Sequence, residues 1–221
     1  MERVLVIDLS YIMASSISLY EDWISGDWSS EIQQWDIMHK KLGQFPPADM
    51  RRSDYLLRIL YRALPNLHSK DQVLFLRSHN DILDKIGSSE HLILHNVDHH
   101  HGIDYTGQRL SNVISENNWI GRLDQTGCLS EYRWFGSKNS KKYKGHLPLA
   151  CQYTQTTDRR RLPMSDPDLI VICESPFWVP PDERSLFSIM RQAVDSYFRE
   201  VEYDENHQTT SQKNHSGRTP T

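Results

Sequence analysis

The sequence predicts an α/β protein, a three-layer sandwich with a mostly parallel central sheet. Four short runs rich in β-branched residues and leucine carry the prediction: Arg3 to Leu9 (RVLVIDL), Gln72 to Leu76 (QVLFL), Leu92 to His95 (LILH) and Asp168 to Cys173 (DLIVIC). Apolar runs that are continuous rather than alternating mark strands covered on both faces. Segments of helical period lie between and after them, the alternation that winds a parallel sheet between helices. Each run also delivers a chemically capable residue where its apolar stretch stops, namely Asp8, His79, Asp98 and Glu174. Carboxyl ends of strands are where open α/β sheets place their sites.

Taken in order, the first strand is followed by a looser stretch with Trp23, Trp28 and Trp35, in which Glu31 to Leu42 is helical and Pro46-Pro47 ends the helix. A long connection over a strand's carboxyl end is where substrate-gripping elements grow, so a lid role is one reading of residues 15 to 50. Ser53 to Leu64 is a helix with Leu56, Leu57, Leu60, Tyr61 and Leu64 on one stripe, Ser53 as its cap and Pro65 as its stop. Ser78 with Asp81 resembles a capping box, which puts His79 in the first turn of a helix running to Ile86. Val113 to Leu123 reads as a helix and Tyr132 to Phe135 as a short aromatic strand. Gly136 to Pro163 has no clear period and reads as a surface loop or a substrate-channel wall. Pro180 and Pro181 introduce a final amphipathic helix with Leu186, Ile189, Met190, Ala193, Val194, Tyr197 and Phe198 on its apolar side. Residues 1–203 are thus expected to form one domain, and 204–221 a polar, disordered tail.

Composition bounds the function. At 221 residues with 38% apolar content the chain is one domain with a sizeable core. A net charge of −4 argues against a nucleic-acid binder, which should carry a basic face. Local basic runs exist at Lys138 to Lys144 and Arg159 to Arg161, read as solvated loops or, in the minority reading, as contacts to an acidic partner. Cys128, Cys151 and Cys173 are too widely spaced for a disulfide framework or a zinc knuckle, and a reducing cytoplasm fits them best. No stretch approaches the roughly 18 apolar residues of a membrane span. The N-terminus, with an acid inside its apolar run, does not read as a secretory signal.

The chemistry centres on His91 to Tyr105, HLILHNVDHHHGIDY, where a strand delivers Asp98, His99, His100 and His101. On extended backbone Asp98 and His100 share one face, and His99 and His101 the other. Carboxylate with imidazole suits manganese, zinc or iron better than calcium, and such an ion serves to lower the pKa of a bound water. The bland readings are a polar turn at 98–101, an Asp8 that only caps the next segment and a His79 on the surface. Glu174 has no companion histidine and suits a cationic substrate group or a proton shuttle.

These residues resemble the arginase-like metallohydrolases, in which an H, a D-x-H-x-D and a D-x-D hold two manganese ions. The aspartate at the N-terminal strand end, NVDHHH in mid-chain, NWIG (Asn118 to Gly121) and PDLIVICESP (Pro167 to Pro176) are similar more particularly to the peptide arginases. The resemblance spans roughly residues 3 to 190 through short motifs. It implies an arginase/deacetylase-like fold and a manganese-dependent, cytoplasmic enzyme that converts arginine side chains of a ribosomally made precursor peptide to ornithine, releasing urea. It implies Asp8, His79, Asp98 and His100 as metal ligands, Asp8 and Asp98 bridging, Glu174 holding the guanidinium, and His101 or His99 shuttling the proton. Two positions depart from the pattern: Ser10 replaces the second acid of D-x-D, and Gly102 the last acid of D-x-H-x-D, for which Asp104 or His101 is a candidate substitute. Two alternatives stand beside it. VDHHH also resembles the DHH phosphoesterases, although their N-terminal motif and glycine-rich C-terminal domain are missing, and the fold can serve a peptide binder without catalysis.

Overall fold

The computed structural model describes residues 1–13, 31–43, 45, 47–86, 91–103, 118–140, 142–144 and 148–215, with backbone alone for Leu42, Asn80 and 202–215. In chain order the elements are β1 (Glu2–Asp8), α1 (Glu31–Leu42), α2 (Met50–Ala63), β2 (Val73–Leu76), α3 (Leu83–Ile86), β3 (Leu92–Val97), α4 (Trp119–Gln125), β4 (Leu129–Phe135), β5 (Gln152–Thr156), β6 (Leu169–Cys173) and α5 (Ser185–His215). The six strands form one sheet in the order β2-β6-β1-β3-β4-β5, and every pairing is parallel. From β1 the chain moves outward to β2 on one side and then to β3, β4 and β5 on the other. Such a reversal opens a crevice at the carboxyl end of the strand where it occurs.

Strand alternation divides the core in two. Leu5, Ile7, Val97, Ile170 and Ile172 pack with α2 and α5 on one face. Val4, Val6, Leu94, Val171 and Cys173 pack with Ile82, Ile86 and α4 on the other. The result is three layers, helices on both faces of a sheet whose central strands are mostly buried, as their apolar runs require. No helix among the described residues is long and apolar enough to cross a membrane.

Several elements differ from the sequence expectation. β5 runs through the stretch read as lacking a period, because QYTQT is an edge strand whose side chains are mostly exposed and need no apolar alternation. The cap of α2 is Asp49, whose carboxylate accepts from Arg51 N at 3.0 Å, so the helix starts before Ser53. His79 lies in a 3-10 turn, His79–Asp81, that precedes the short α3 rather than inside one continuous helix. Of the helix expected over 113–123, the described part is α4, which extends to Gln125; residues 113–117 lie outside the described residues. The backbone of α5 continues to His215, past the boundary expected at 203. Of the lid expectation over 15 to 50, residues 15–30 lie outside the described residues.

Helix α1 is fastened to the turn after β6. Trp35 Nε1 donates to Pro176 O at 2.7 Å and Gln34 Nε2 to Phe177 O at 3.0 Å. From the start of α5's segment, Arg184 donates to Pro176 O at 2.7 Å and Val179 O at 2.8 Å, while pairing with Glu31 at 3.2 Å.

Candidate metal centre

The register of the sheet assembles the site. Asp8 pairs with Cys173, Cys173 with Leu76, and Ile7 with Val97, so Asp98 follows β3 at the level where Asp8 ends β1. Side chains in register emerge on one face, and Asp8, Asp98 and Cys173 share the parity of Val4, Val6, Leu94 and Val171 on the α4 face. All three are buried, with 1% exposure or less. His79 enters from the turn after β2, its ring stacked on Trp119 with centroids 4.9 Å apart and planes 11° from parallel.

A carboxylate oxygen of Asp8, a ring nitrogen of His79 and Cys173 Sγ lie within 4.8 Å of one another, the one such group found among the described residues. His79 Nε2 is 3.1 Å from Asp8 Oδ2 and 3.7 Å from Asp98 Oδ2, yet it forms no hydrogen bond. A buried imidazole nitrogen left unbonded among acceptors is costly unless a cation occupies the gap. These residues therefore fit a metal ion, and the group can hold one.

Neighbouring donors hold the carboxylates. Asp8 Oδ1 accepts from Ser10 N at 2.7 Å, and Asp8 Oδ2 accepts from the Ser175 hydroxyl. Asp98 Oδ1 accepts from Ser10 Oγ at 2.7 Å and from His100 N at 3.0 Å. Burial, with Asp8 adding to it, raises the Asp98 carboxyl well above the usual carboxylate range. Burial lowers His79, against the opposing pull of Asp8, so its ring is held in the neutral form a metal requires. Ser175 reaches Asp8 from left-handed backbone, φ 50°, a conformation costly for a residue with a side chain and concentrated at functional sites. Hydrogen bonds from Trp178 N at 2.9 Å and Val179 N at 3.0 Å to Ser175 O hold that bend.

Of the residues expected from the sequence, Asp8, His79 and Asp98 converge. His100 sits beside them, Nδ1 3.8 Å from Asp98 Oδ1, with its ring against Trp178 at a centroid distance of 3.8 Å. His99 Nδ1 is 3.0 Å from Ser137 Oγ. His101 packs against Trp134 and Tyr143, and its Nδ1 accepts from Ile103 N at 3.1 Å. Glu174 is half-buried, its backbone N donating to Leu76 O at 3.0 Å. Cys173, one residue earlier, is the strand-end residue of β6 in register with Asp8, and the sequence reading missed it. The signal was its last place in DLIVIC; considering cysteines only by their mutual spacing hid it.

The two departures from the acid pattern have structural reasons. Gly102 has φ 64°, and a Cβ there would meet Trp119 Nε1 at 2.6 Å, so an acid at this position would displace the ring that stacks on His79. Ser10 uses its hydroxyl to donate to Asp98. Asp104 lies outside the described residues.

No family model, no curated protein and no solved structure matches the chain in the three comparisons made. What fold and site define is a class: an α/β protein with a buried carboxylate, imidazole and thiol at the crevice beside β1.

Proposed function

We propose that the protein is a manganese-dependent hydrolase that converts arginine side chains of a ribosomally made precursor peptide to ornithine, releasing urea. The observation that carries the reading is His79 Nε2, buried and unbonded between Asp8 and Asp98 at the rim of the sheet. Asp8, His79 and Asp98, with His100 beside them, would hold the ion. When bound, a divalent ion there supplies a Lewis acid and a water of lowered pKa.

The chain's own residues account for the rest. Ser10 and Ser175 fix the Asp8 carboxylate, while Trp119 and Trp178 cover the imidazoles and keep solvent out. Glu174, half-buried at the same strand end, attracts the guanidinium by a charge-assisted pair. His101, buried between Trp134 and Tyr143, would act as a relay, taking a proton from the attacking water and then passing one to the departing amine. Water adds across the guanidinium carbon, the bond from that carbon to the side-chain nitrogen breaks, and that nitrogen takes up a proton to leave ornithine and urea.

Cys173 favours a second reading of the metal. Thiolate donors select zinc over manganese, so a centre using Cys173 as a ligand would hold zinc. The test is metal analysis of the purified protein, followed by urea assay and mass spectrometry of arginine-containing peptides with manganese or zinc supplied. The expected result is urea and the loss of one CN2H2 unit per processed arginine, abolished by chelation. Metal-loaded protein that releases urea from no arginine peptide overturns the proposal, and phosphate release from phosphate esters in its place would select the phosphoesterase.

A further inference from the structure

The arginine run after β5, Arg159 to Arg161, plays no part in the metal centre. Asp158, Arg159 and Arg160 line a cavity of about 600 Å³ together with Arg58 of α2 and Leu162. Leu162 is shared with an adjoining cavity of about 220 Å³, lined by Arg133, Arg161 and the ends of β4 and β5. Five arginines thus line two cavities that adjoin at Leu162, a groove with one acid among its lining residues, in a chain whose net charge is −4. The groove is built on ordered structure: Tyr55 OH donates to Arg161 O at 3.2 Å, tying the turn to α2, and Arg58 lies over the Tyr55 ring at 5.4 Å.

Three of the arginines have carboxylate partners. Arg160 pairs with Asp158 at 2.9 Å, Arg159 with Asp49 at 3.4 Å and Arg133 with Glu131 at 2.8 Å. Arg58 and Arg161 form no ion pair with a described residue. We infer that this groove docks an acidic segment of a peptide. The guanidinium fork matches carboxylates in pairs, and acids spaced by neutral residues can meet the arginines while avoiding Asp49, Asp158 and Glu131, which the unbroken charge of a polyphosphate chain cannot.

The groove also lies where such a segment would be useful. Phe135 lines it, and Phe135 O accepts from Asp98 N at 3.3 Å. Arg133 pairs in register with Thr154 and Phe135 with Thr156, on the sheet face opposite the metal centre. A peptide crossing the carboxyl rim would set its acidic flank in the groove and its arginine over Asp8. The inference in this form rests on the peptide-hydrolase reading and names its substrate as an arginine peptide with an acidic flank.

The test uses the full chain and a labelled peptide of alternating glutamate and serine, with a glutamine-for-glutamate peptide beside it, read by fluorescence anisotropy. The Arg58→Glu/Arg161→Glu pair should weaken glutamate-peptide binding by roughly tenfold or more, with an unchanged melting temperature. Arg199→Glu, on α5, should leave binding as it is, and added salt should weaken it. Equal binding of the glutamine peptide, an unaffected double variant, or tighter groove-dependent binding of oligothymidylate would each overturn the inference. Urea release from a short arginine peptide without acids separates the two readings. Urea without acidic-peptide binding overturns the groove alone, and binding without urea overturns the hydrolase alone.

Discussion

The carboxyl rim of the sheet has two stretches of opposite character. Over β6, β1 and β3 it gathers acids, an imidazole and a thiol, all buried. Over β4 and β5 it gathers arginines, with Arg160 91% exposed and Arg133 43% exposed. Burial decides what each stretch can do. An ionised group taken from water must pair, bind an ion or give up its charge, and Asp98 shows the last by its raised pKa. The exposed guanidiniums keep their charge and interact through a screened field, so they steer and select more than they grip.

The largest effect should come from the inner stretch. His79→Ala should lower metal affinity by more than about a hundredfold, beyond the roughly 10- to 100-fold cost of changing a residue that only orients a ligand. Arg133→Ala, on the outer stretch, should leave the affinity unchanged in the same chelator-competition titration. Equal losses in both variants would break the comparison.

Next in size is a glycine pair. Gly102→Asp combines positive φ with overlap on Trp119 and should destabilise the fold by about 2 to 4 kcal/mol. Gly127→Asp has a similar φ, 75°, with nothing within 4 Å of its Cβ, and should cost only about 1 kcal/mol. Denaturant melts of both variants isolate the steric part.

A pH series sharpens the contrast further. The Asp98 carboxyl is raised in the fold, so its stabilising contribution to the metal-free protein is present below the unfolded carboxylate value and fades as pH climbs through the raised one. His79 is depressed, so its contribution is present above the ordinary imidazole value and fades as pH falls through the lowered one. Metal requires both groups unprotonated, so its affinity should weaken toward acid and its binding should release a proton, measurable by calorimetry in buffers of different ionisation enthalpy. Asp98→Asn should remove the loss on the alkaline side.

The smallest effect concerns Ser175. Ser175→Ala should weaken metal binding about tenfold by freeing Asp8. Ser175→Gly should weaken it equally while raising the melting temperature, because glycine adopts the left-handed backbone without strain.

The runs of β1, β3 and β6 were legible because burial on both faces writes itself as β-branched and leucine sequence, and β2, though at the sheet edge, by its short apolar run. Asp8 and Asp98 were legible for the same reason, each closing such a run. The choice between Cys173 and Glu174 was not, since which residue faces a neighbour is fixed by register across three strands and no single strand encodes it. β5 was hidden because an exposed edge strand makes few apolar demands. Gly102 looked like a missing acid until Trp119 showed what the position must leave room for.

The turn after β6 is fastened through its main-chain carbonyls, those of Pro176 and Phe177 to α1 and those of Pro176 and Val179 to Arg184. A carbonyl is common to every amino acid. The turn that carries Ser175 and Trp178 is therefore anchored by its path rather than by the identity of its side chains. Replacing Phe177 would leave its carbonyl, and with it the bond from Gln34, in place.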